Sequence, residues 1–305
     1  MTKLTKTLSI ATLCLTVAGL SGCAGRTAAF SESEGNATGT EAPTAGATEG
    51  AGDSADIAAG DAAWEGRVDP AKTLEAIAAW DKALEADPNN YGVLVKLTRG
   101  NYYYADSFLR DKEDEYLKTM DKAVYYGERA LGVISPEFRQ KMENKGKFHE
   151  AITVVPKEGV PAMYWYSSAL GKWAKKKSFA VLLGQKDNIK ATMEHVMSLD
   201  ENFYHAGPHR YFGAVYAIAP KVAGGDLSKS KVSFEKSMEL APNFLGTKVL
   251  MAEHYATKID NEELFTKLLN EVVAADPNVL PDVAPEMQVE QQKAKDLLAN
   301  IDEYF

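Results

Sequence analysis

The chain has 305 residues, of which 45% are hydrophobic and 25% are charged, and its formal net charge is −9. An acidic chain repels phosphate groups, so this balance argues against nucleic acid as a partner. It favours a neutral or positively charged partner surface instead. The length suits one folded domain with a sizeable core.

The N-terminus has the organisation of a secretory signal over residues 1–23. Lys3 and Lys6 precede an apolar stretch at residues 8–20, which is too short to span a membrane. Residues 20–23 (LSGC) resemble the lipobox of bacterial lipoproteins, in which the cysteine becomes the lipidated N-terminus. We therefore predict lipidation at Cys23. The alternative is an ordinary secretory signal that has a cysteine at this position by chance.

The two cysteines agree with this interpretation. Cys14 would leave with the signal and Cys23 would carry lipid, so the mature chain keeps no thiol for a disulfide. Position 24 is alanine rather than aspartate, which in many Gram-negative bacteria directs a lipoprotein to the outer membrane. The sequence thus predicts a lipid-anchored protein on the bacterial outer membrane, facing the periplasm.

Residues 24–63 are rich in Ala, Gly, Thr, Ser and Glu, with Phe30 as their only aromatic before the folded part. Such a segment buries too little apolar surface to fold. We predict a disordered tether here, spanning about 35 Å on average, that lets the domain stand off the membrane. The folded domain is predicted to cover residues 64–305.

Residues 225–243 (GDLSKSKVSFEKSMELAPN) contain the most informative pattern. Ser230, Phe234 and Ser237 alternate small and large side chains on one helix face, which is typical of two helices packed closely in a hairpin. Similar patterns recur at later spacings of 35 to 41 residues, close to the period of about 34 in tetratricopeptide repeats. The sequence predicts an all-α fold of tetratricopeptide-like stacked helical hairpins, an α-solenoid, with one insertion at residues 136–159.

Apolar periodicity predicts ten helices and no convincing strand. The predicted helices cover residues 70–86, 91–108, 112–131, 160–177, 186–199, 208–218, 227–240, 244–258, 262–275 and 286–302.

Aromatic residues are dense on the helix predicted for residues 160–177. Trp165 and Trp173 lie on one face, and Tyr164 and Lys172 lie beside them. Two interpretations remain open: packing between neighbouring hairpins, or the aromatic wall of a ligand cavity or pore, with Lys172 as a cation for a carboxylate. Tyrosines at 102–104 and 125–126 add further rings, of which we predict Tyr103 and Tyr126 as ligand contacts.

The helix that begins at Pro208 carries a second candidate group: Arg210, Tyr211 and Tyr216. Arginine suits a two-point grip on a carboxylate, and the alternative is a surface ion pair. His205 and His209 have the spacing of a metal pair, but Gly207 and Pro208 interrupt the helix that such a pair needs. We find no nucleophile elbow and no phosphate loop. The sequence predicts no enzyme activity, no metal and no cofactor.

These residues resemble the T-component lipoproteins of tripartite ATP-independent periplasmic (TRAP) transporters. The likeness is carried by residues 207–213 (GPHRYFG), by 219–227 with its AP and GGDL motifs, by 241–255 with its APNFL and AEHY motifs, and by the aromatic residues of 164–173. It implies an all-helical homotrimer with a pore through each subunit. It also implies association with the periplasmic substrate-binding P-component, and handling of organic-acid, hydrophobic or amphiphilic ligands.

We therefore predict a lipid-anchored accessory protein of a TRAP system, which docks the P-component and binds or passes a small organic-acid or hydrophobic ligand in an aromatic-lined pore. The alternative is an outer-membrane scaffold lipoprotein for envelope assembly. A scaffold should show an open polar groove, and a ligand handler should show a closed cavity lined by aromatic rings.

Overall fold

The computed structural model describes residues 26, 28–30 and 54–305. These residues form thirteen α-helices joined by short turns and 3₁₀ segments, with no strand among them, and this confirms the all-helical prediction. The helices are α1 (Ser54–Glu65), α2 (Pro70–Ala86), α3 (Tyr91–Phe108), α4 (Glu113–Ile134), α5 (Pro136–Glu143), α6 (Phe148–Ala151), α7 (Val160–Lys177), α8 (Phe179–Leu199), α9 (Phe203–Ile218), α10 (Leu227–Leu240), α11 (Gly246–Leu250), α12 (Glu262–Ala274) and α13 (Ala284–Ala299).

Side-chain caps fix where many of these helices begin. Asp69, Asn90, Ser178, Asp226 and Asn261 each accept a hydrogen bond from a backbone N–H in the first turn of the following helix. Such caps satisfy donors that the helix itself leaves unpaired. The Ser178 cap explains why α8 begins at Phe179, seven residues before the predicted start.

The predicted insertion at residues 136–159 folds into two short helices, α5 and α6, followed by 3₁₀ turns at Ile152–Val154 and Lys157–Gly159. Helix α4 packs directly against α7, so the insertion lies beside the stack and does not interrupt it. The helix predicted for residues 244–258 is less regular than expected. It consists of α11, a π-helical segment at Met251–Ala256 and a 3₁₀ turn at Thr257–Ile259.

Helix α1 begins at Ser54, ten residues before the expected start of the domain. The Asp61 carboxylate accepts a hydrogen bond from the Trp80 indole at 3.0 Å and pairs with Lys96 at 2.6 Å. Trp64 packs on Trp80 with ring centroids 5.4 Å apart. The alanine content that suggested a tether is also strongly helix-forming once a partner helix is present. The predicted signal, Cys23 and tether residues 31–53 lie outside the described residues.

Helices that follow each other in sequence pack against each other in space, as a stack requires, although the closer likeness to tetratricopeptide hairpins stays a prediction. The α9–α10 pair shows the predicted small–large pattern. Ser230 and Ser237 are fully buried and donate hydrogen bonds to the carbonyls of Gly213 and Ala206, at 2.7 and 3.2 Å. Phe234 lies between them, also fully buried.

The last helix returns to the first half of the chain. Glu286 on α13 accepts hydrogen bonds from the Arg67 guanidinium at 2.8 to 3.2 Å and from Arg99 at 2.7 Å. Lys293, two turns further along α13, contacts Asp106 on α3 at 2.9 Å. The stack thereby closes on itself and encloses space between two hydrophobic cores, one formed by residues up to Phe212 and one by residues from Ala217.

A pair of glycine substitutions tests the close approach of α9 and α10. A Cβ atom at Gly213 would lie 2.7 Å from the ring of Phe234, whereas one at exposed Gly184 in α8 would meet nothing within 4 Å. We expect Gly213→Ala to lower the free energy of unfolding by about 1–3 kcal/mol. Gly184→Ala should raise it by about 0.5–1 kcal/mol. Urea denaturation followed by circular dichroism measures both, and equal shifts would contradict the packing.

Candidate functional site

The enclosed space is a cavity of about 570 Å³ between α3 and α7 on one side and α9, the π-helical segment and α13 on the other. Its wall is rich in aromatic rings, contributed by both halves of the chain. They are Tyr102, Tyr103, Tyr116, Tyr164, Trp165, Tyr204 and Phe244. A volume of this size accommodates a small organic molecule.

The cavity wall is cationic although the chain is acidic. Seven cationic side chains and five carboxylates line it, which leaves a formal excess of two positive charges with His254 neutral. The cations are Arg99, Arg110, Lys172, Lys175, Lys176, Arg210 and Lys293. An enclosed positive wall attracts anions, because low-dielectric surroundings strengthen each charge.

Asp106 organises part of this charge. It contacts Lys172 on α7 and Lys293 on α13. Burial alone would raise the pKa of Asp106, but the two ammonium groups hold that pKa well below its ordinary value. Burial likewise would lower the pKa of Lys172, and the Asp106 carboxylate raises it well above its ordinary value. Lys293 also pairs with Glu290 at 2.8 Å, so two cations and two carboxylates balance in this cluster.

Arg99 lies on the same helix as Asp106, two turns earlier on α3. Its guanidinium donates to Glu286 and lies over Trp165 and Tyr204, with 5.3 Å from the guanidinium carbon to each ring centroid. Stacking of this kind is favourable for arginine and holds the group flat against the wall. Glu286 is therefore already neutralised by Arg67 and Arg99, and it presents little negative charge to the cavity.

A second cavity of about 490 Å³ adjoins the first and is mostly apolar. Its distinctive wall comes from α8 and α9, with Phe179, Leu182, Leu183, Tyr211, Phe212 and Tyr216. Seven residues line both cavities: Tyr102, Tyr164, Lys172, Lys175, Arg210, Leu250 and His254. A cationic chamber and an apolar chamber therefore share one dividing wall.

Arg210 is buried in that dividing wall, with 6% of its surface exposed. Its guanidinium donates to the carbonyls of His205 and Tyr204 at 3.0 and 3.2 Å and to the Tyr164 hydroxyl at 2.9 Å. The guanidinium carbon lies 4.2 Å from the centroid of the Phe244 ring. Within residues 26, 28–30 and 54–305, no carboxylate lies at ion-pairing distance from Arg210. Its charge is therefore held by neutral acceptors only.

An unusual turn at the start of α9 supplies two of those acceptors. Tyr204, His205 and Ala206 have φ angles of 46°, 57° and 53°, a left-handed conformation that non-glycine residues rarely adopt. The turn reverses the chain before Pro208 and directs two successive carbonyls at the Arg210 guanidinium. Sequence analysis predicted the helix start at Pro208 but not this turn, because no glycine or asparagine marks it.

The structure brings most of the predicted contact residues to the two cavities. Tyr103, Tyr164, Trp165, Lys172 and Arg210 line the cationic cavity. Tyr211 and Tyr216, with Tyr164, Lys172 and Arg210 again, line the apolar one.

Two predicted contacts lie elsewhere. The Tyr126 hydroxyl donates to the Asp81 carboxylate at 2.6 Å, and Trp173 is buried in the first hydrophobic core. Neither side chain lines a cavity, so the packing interpretation describes Trp173 better than the ligand one. His209 contacts Glu201 at 2.9 Å. No group of three metal-binding side chains occurs in the described part of the chain.

Apart from Lys172 and Arg210, the charged residues of the cavity wall were not predicted from the sequence. Glu286, Glu290 and Lys293 follow each other at intervals of four and three residues, so they share one face of α13. That spacing was visible in the sequence. Their partners Arg99 and Asp106 are each 187 residues away, and no local pattern connects positions so far apart.

Comparison with known protein families identifies the family of this chain. The family model described as TRAP transporter T-component matches residues 72–305. The chain belongs to the TRAP transporter T-component family. This T-component is therefore an accessory protein of a TRAP transport system, and its family is not one of enzymes. A comparison with curated proteins gives no match.

The family match confirms the resemblance drawn from residues 164–173 and 207–255. TRAP systems serve membrane transport, and the T-component is associated with such a system. None of the helices from α1 to α13 is long and apolar enough to cross a membrane.

The stability of this T-component should depend on pH through His254, which lines both cavities. Burial, with a smaller contribution from the positive charges of Lys175 and Lys172, lowers the pKa of His254 to about 4, although the nearby Glu253 carboxylate acts in the opposite direction. An unfolded histidine titrates near pH 6.5. As the pH falls from about 6.5 to about 4, the unfolded chain binds a proton that the folded chain excludes, so the free energy of unfolding decreases.

On acidification, we expect the free energy of unfolding of His254→Gln to decrease less than that of the wild type, by on the order of 3 kcal/mol. Urea denaturation at pH 7.5 and at pH 4.5 gives the difference for each variant. His149→Gln, which changes a partly exposed histidine in α6, should keep the wild-type difference. If wild type and His254→Gln lose the same stability on acidification, the assigned role of His254 is wrong.

Proposed function

We propose that this T-component is a lipid-anchored outer-membrane protein that docks the P-component of its TRAP system in the periplasm. In this proposal it also binds a small organic acid with an apolar portion in its two cavities, or passes it through them. The observation that carries the ligand proposal is Arg210, a buried guanidinium without a carboxylate partner in the wall between a cationic and an apolar cavity.

The charge arrangement supports an amphiphilic carboxylate as the ligand. Its head group would lie at Arg210 and Lys172, where the wall has an excess of positive charge. Its chain would extend toward Phe179, Tyr211 and Tyr216, where the wall is apolar. Buried charges usually have partners, so an arginine held only by neutral acceptors suits a site that a ligand anion completes.

Aromatic rings in two partly open cavities support the ligand function, and the envelope scaffold, which we expected to show an open polar groove, stays the alternative. A homotrimer with a pore through each subunit is also part of the proposal, and the family resemblance supports it. Two adjoining cavities with a shared wall are compatible with such a pore. The lipobox-like residues 20–23 support the anchor, and Cys23 lies outside the described residues.

Ligand binding is tested with octanoate, and with octylamine as a probe of equal length and opposite charge. We expect octanoate to bind and octylammonium to bind at least tenfold more weakly. Arg210→Met should weaken octanoate binding by about ten- to a hundredfold, since a charge-assisted hydrogen bond contributes about 1.5–3 kcal/mol. Isothermal titration calorimetry measures the affinities.

Arg129→Met provides the matched control, because Arg129 lies on α4 away from both cavities and donates to the Pro88 carbonyl. It should leave octanoate binding unchanged. Equal affinity of the wild type for octanoate and octylamine would contradict the anion site. An equal loss of octanoate affinity in Arg210→Met and Arg129→Met would also contradict it. Circular dichroism establishes that each variant is folded.

Partner docking is tested with the purified P-component of the same TRAP system. We expect native mass spectrometry to detect a T-component homotrimer that carries the P-component. A T-component that ignores the P-component, and instead co-purifies with an outer-membrane assembly machine, would favour the scaffold and contradict the docking proposal. Arg210→Met should still form the complex, which separates docking from ligand binding.

A further inference from the structure

A short N-terminal segment is docked on the domain far from its neighbours in sequence. The Arg26 guanidinium makes a two-point contact with the Glu128 carboxylate at 2.6 and 3.1 Å and contacts Asp121 at 2.7 Å. The backbone N–H of Ala29 donates to the same Glu128 carboxylate at 2.9 Å. Both acidic residues lie on α4, about a hundred positions away along the chain.

Burial makes this contact specific. Only 3% of Glu128 and 8% of the Arg26 side chain are exposed. A buried carboxylate that loses its partner is strongly destabilising, whereas a paired one is tolerated. The hydrogen bonds that Glu128 accepts through its side chain come from Arg26 and Ala29. Helix α4 thus carries a carboxylate that this segment neutralises.

Phe30 adds an apolar contact. Its ring packs edge-on against Phe138 on α5, with ring centroids 5.5 Å apart, and Phe138 packs in turn on Phe148 of α6. The Phe30 ring also lies beside Gly132 on α4, where a Cβ atom would make an ordinary contact with it at 3.5 Å. The insertion between α4 and α7 therefore provides the apolar surface on which Phe30 packs. This contact lies outside the two cavities.

The docked segment fixes where the N-terminal cysteine can lie. Three residues separate Cys23 from Arg26, and a chain of that length spans at most about 10 Å. A lipid on Cys23, if the proposed lipidation occurs, would be attached within this reach of Arg26. Lys141 in the last turn of α5, and Lys145 and Lys147 in the turn that follows it, are exposed; Lys141 pairs with Glu137 at 3.4 Å and Lys147 with Glu150 at 2.9 Å. Lysines on a membrane-proximal surface attract anionic lipid head groups.

We propose that residues 26–30 act as a clip that holds the α4–α5 face of the T-component against an anionic lipid surface. The membrane part of this inference rests on the proposed lipidation of Cys23. In this proposal the docked segment sets the distance to the membrane, and the tether that composition predicts for residues 24–63 stays a prediction. The face opposite α4 and α5 is left for partners in the periplasm.

Trypsin digestion tests the clip directly. Arg26 is the only Lys or Arg between residues 24 and 66, so cleavage in this stretch requires an accessible Arg26. We expect slow cleavage after Arg26 in the folded mature chain, and at least tenfold faster cleavage in Glu128→Gln and in Phe30→Ala. Glu143→Gln removes an exposed charge from neighbouring α5 and should leave the rate unchanged. Mass spectrometry of timed samples gives the rates.

Phe30→Ala keeps the test decisive if Glu128→Gln fails to fold, because Phe30 lies outside the helical stack. Circular dichroism establishes folding before digestion. Equal cleavage rates in the wild type and in Phe30→Ala would overturn the clip.

The membrane placement is tested with fluorophores on single cysteines at Lys141, on α5, and at Lys231, on α10. The lipidated chain is placed in phosphatidylglycerol vesicles that carry a quencher on the head group. We expect at least twofold stronger quenching at position 141 than at 231, and Phe30→Ala should abolish the difference. Equal quenching in the wild type would overturn the placement. A chain that does not enter vesicles would contradict the proposed lipidation, while the trypsin rates would still decide the clip.

Discussion

The bond between Glu286 and the arginines Arg67 and Arg99 determines the shape of this protein. Helices in a stack contact only their neighbours, so the two ends are ordinarily free. Here the last helix carries a buried carboxylate that reaches the α1–α2 turn, 219 residues earlier in the chain. Desolvating such a charge is costly unless its geometry is good, and two guanidinium groups provide that geometry. The closure converts an open curved surface into a partly enclosed cavity.

The closure of the helical stack also places an excess of positive charge on the cavity wall of an acidic protein. Carboxylates exceed cations over the whole chain, whereas cations exceed carboxylates on the cavity wall. An acidic exterior repels a dissolved anion, and a cationic interior retains it. Direct transfer from a docked binding protein therefore suits this arrangement better than capture from solution, because transfer avoids the repulsive exterior.

Local signals in the sequence predicted most of the helices, because caps and small–large alternation act over one or two turns. Asp226 and the buried pattern of Ser230, Phe234 and Ser237 are examples. Aromatic clusters and the family resemblance led to nine predicted ligand contacts, of which seven line the cavities, and their contact with a ligand stays a prediction. Local signals could not distinguish Trp173, whose burial depends on neighbouring helices. The charged wall depends on pairs such as Asp106 with Lys293, which tertiary closure alone brings together.

The left-handed turn at Tyr204, His205 and Ala206 shows how the fold keeps a buried charge available. Each non-glycine residue in this conformation costs roughly 1–2 kcal/mol, so the turn persists only because the surroundings enforce it. It directs two carbonyls at Arg210 in place of a carboxylate. Carbonyl dipoles stabilise the guanidinium without cancelling its charge, whereas a side-chain anion would cancel it. Backbone strain thus holds Arg210 in the wall between the cavities while its positive charge stays uncompensated.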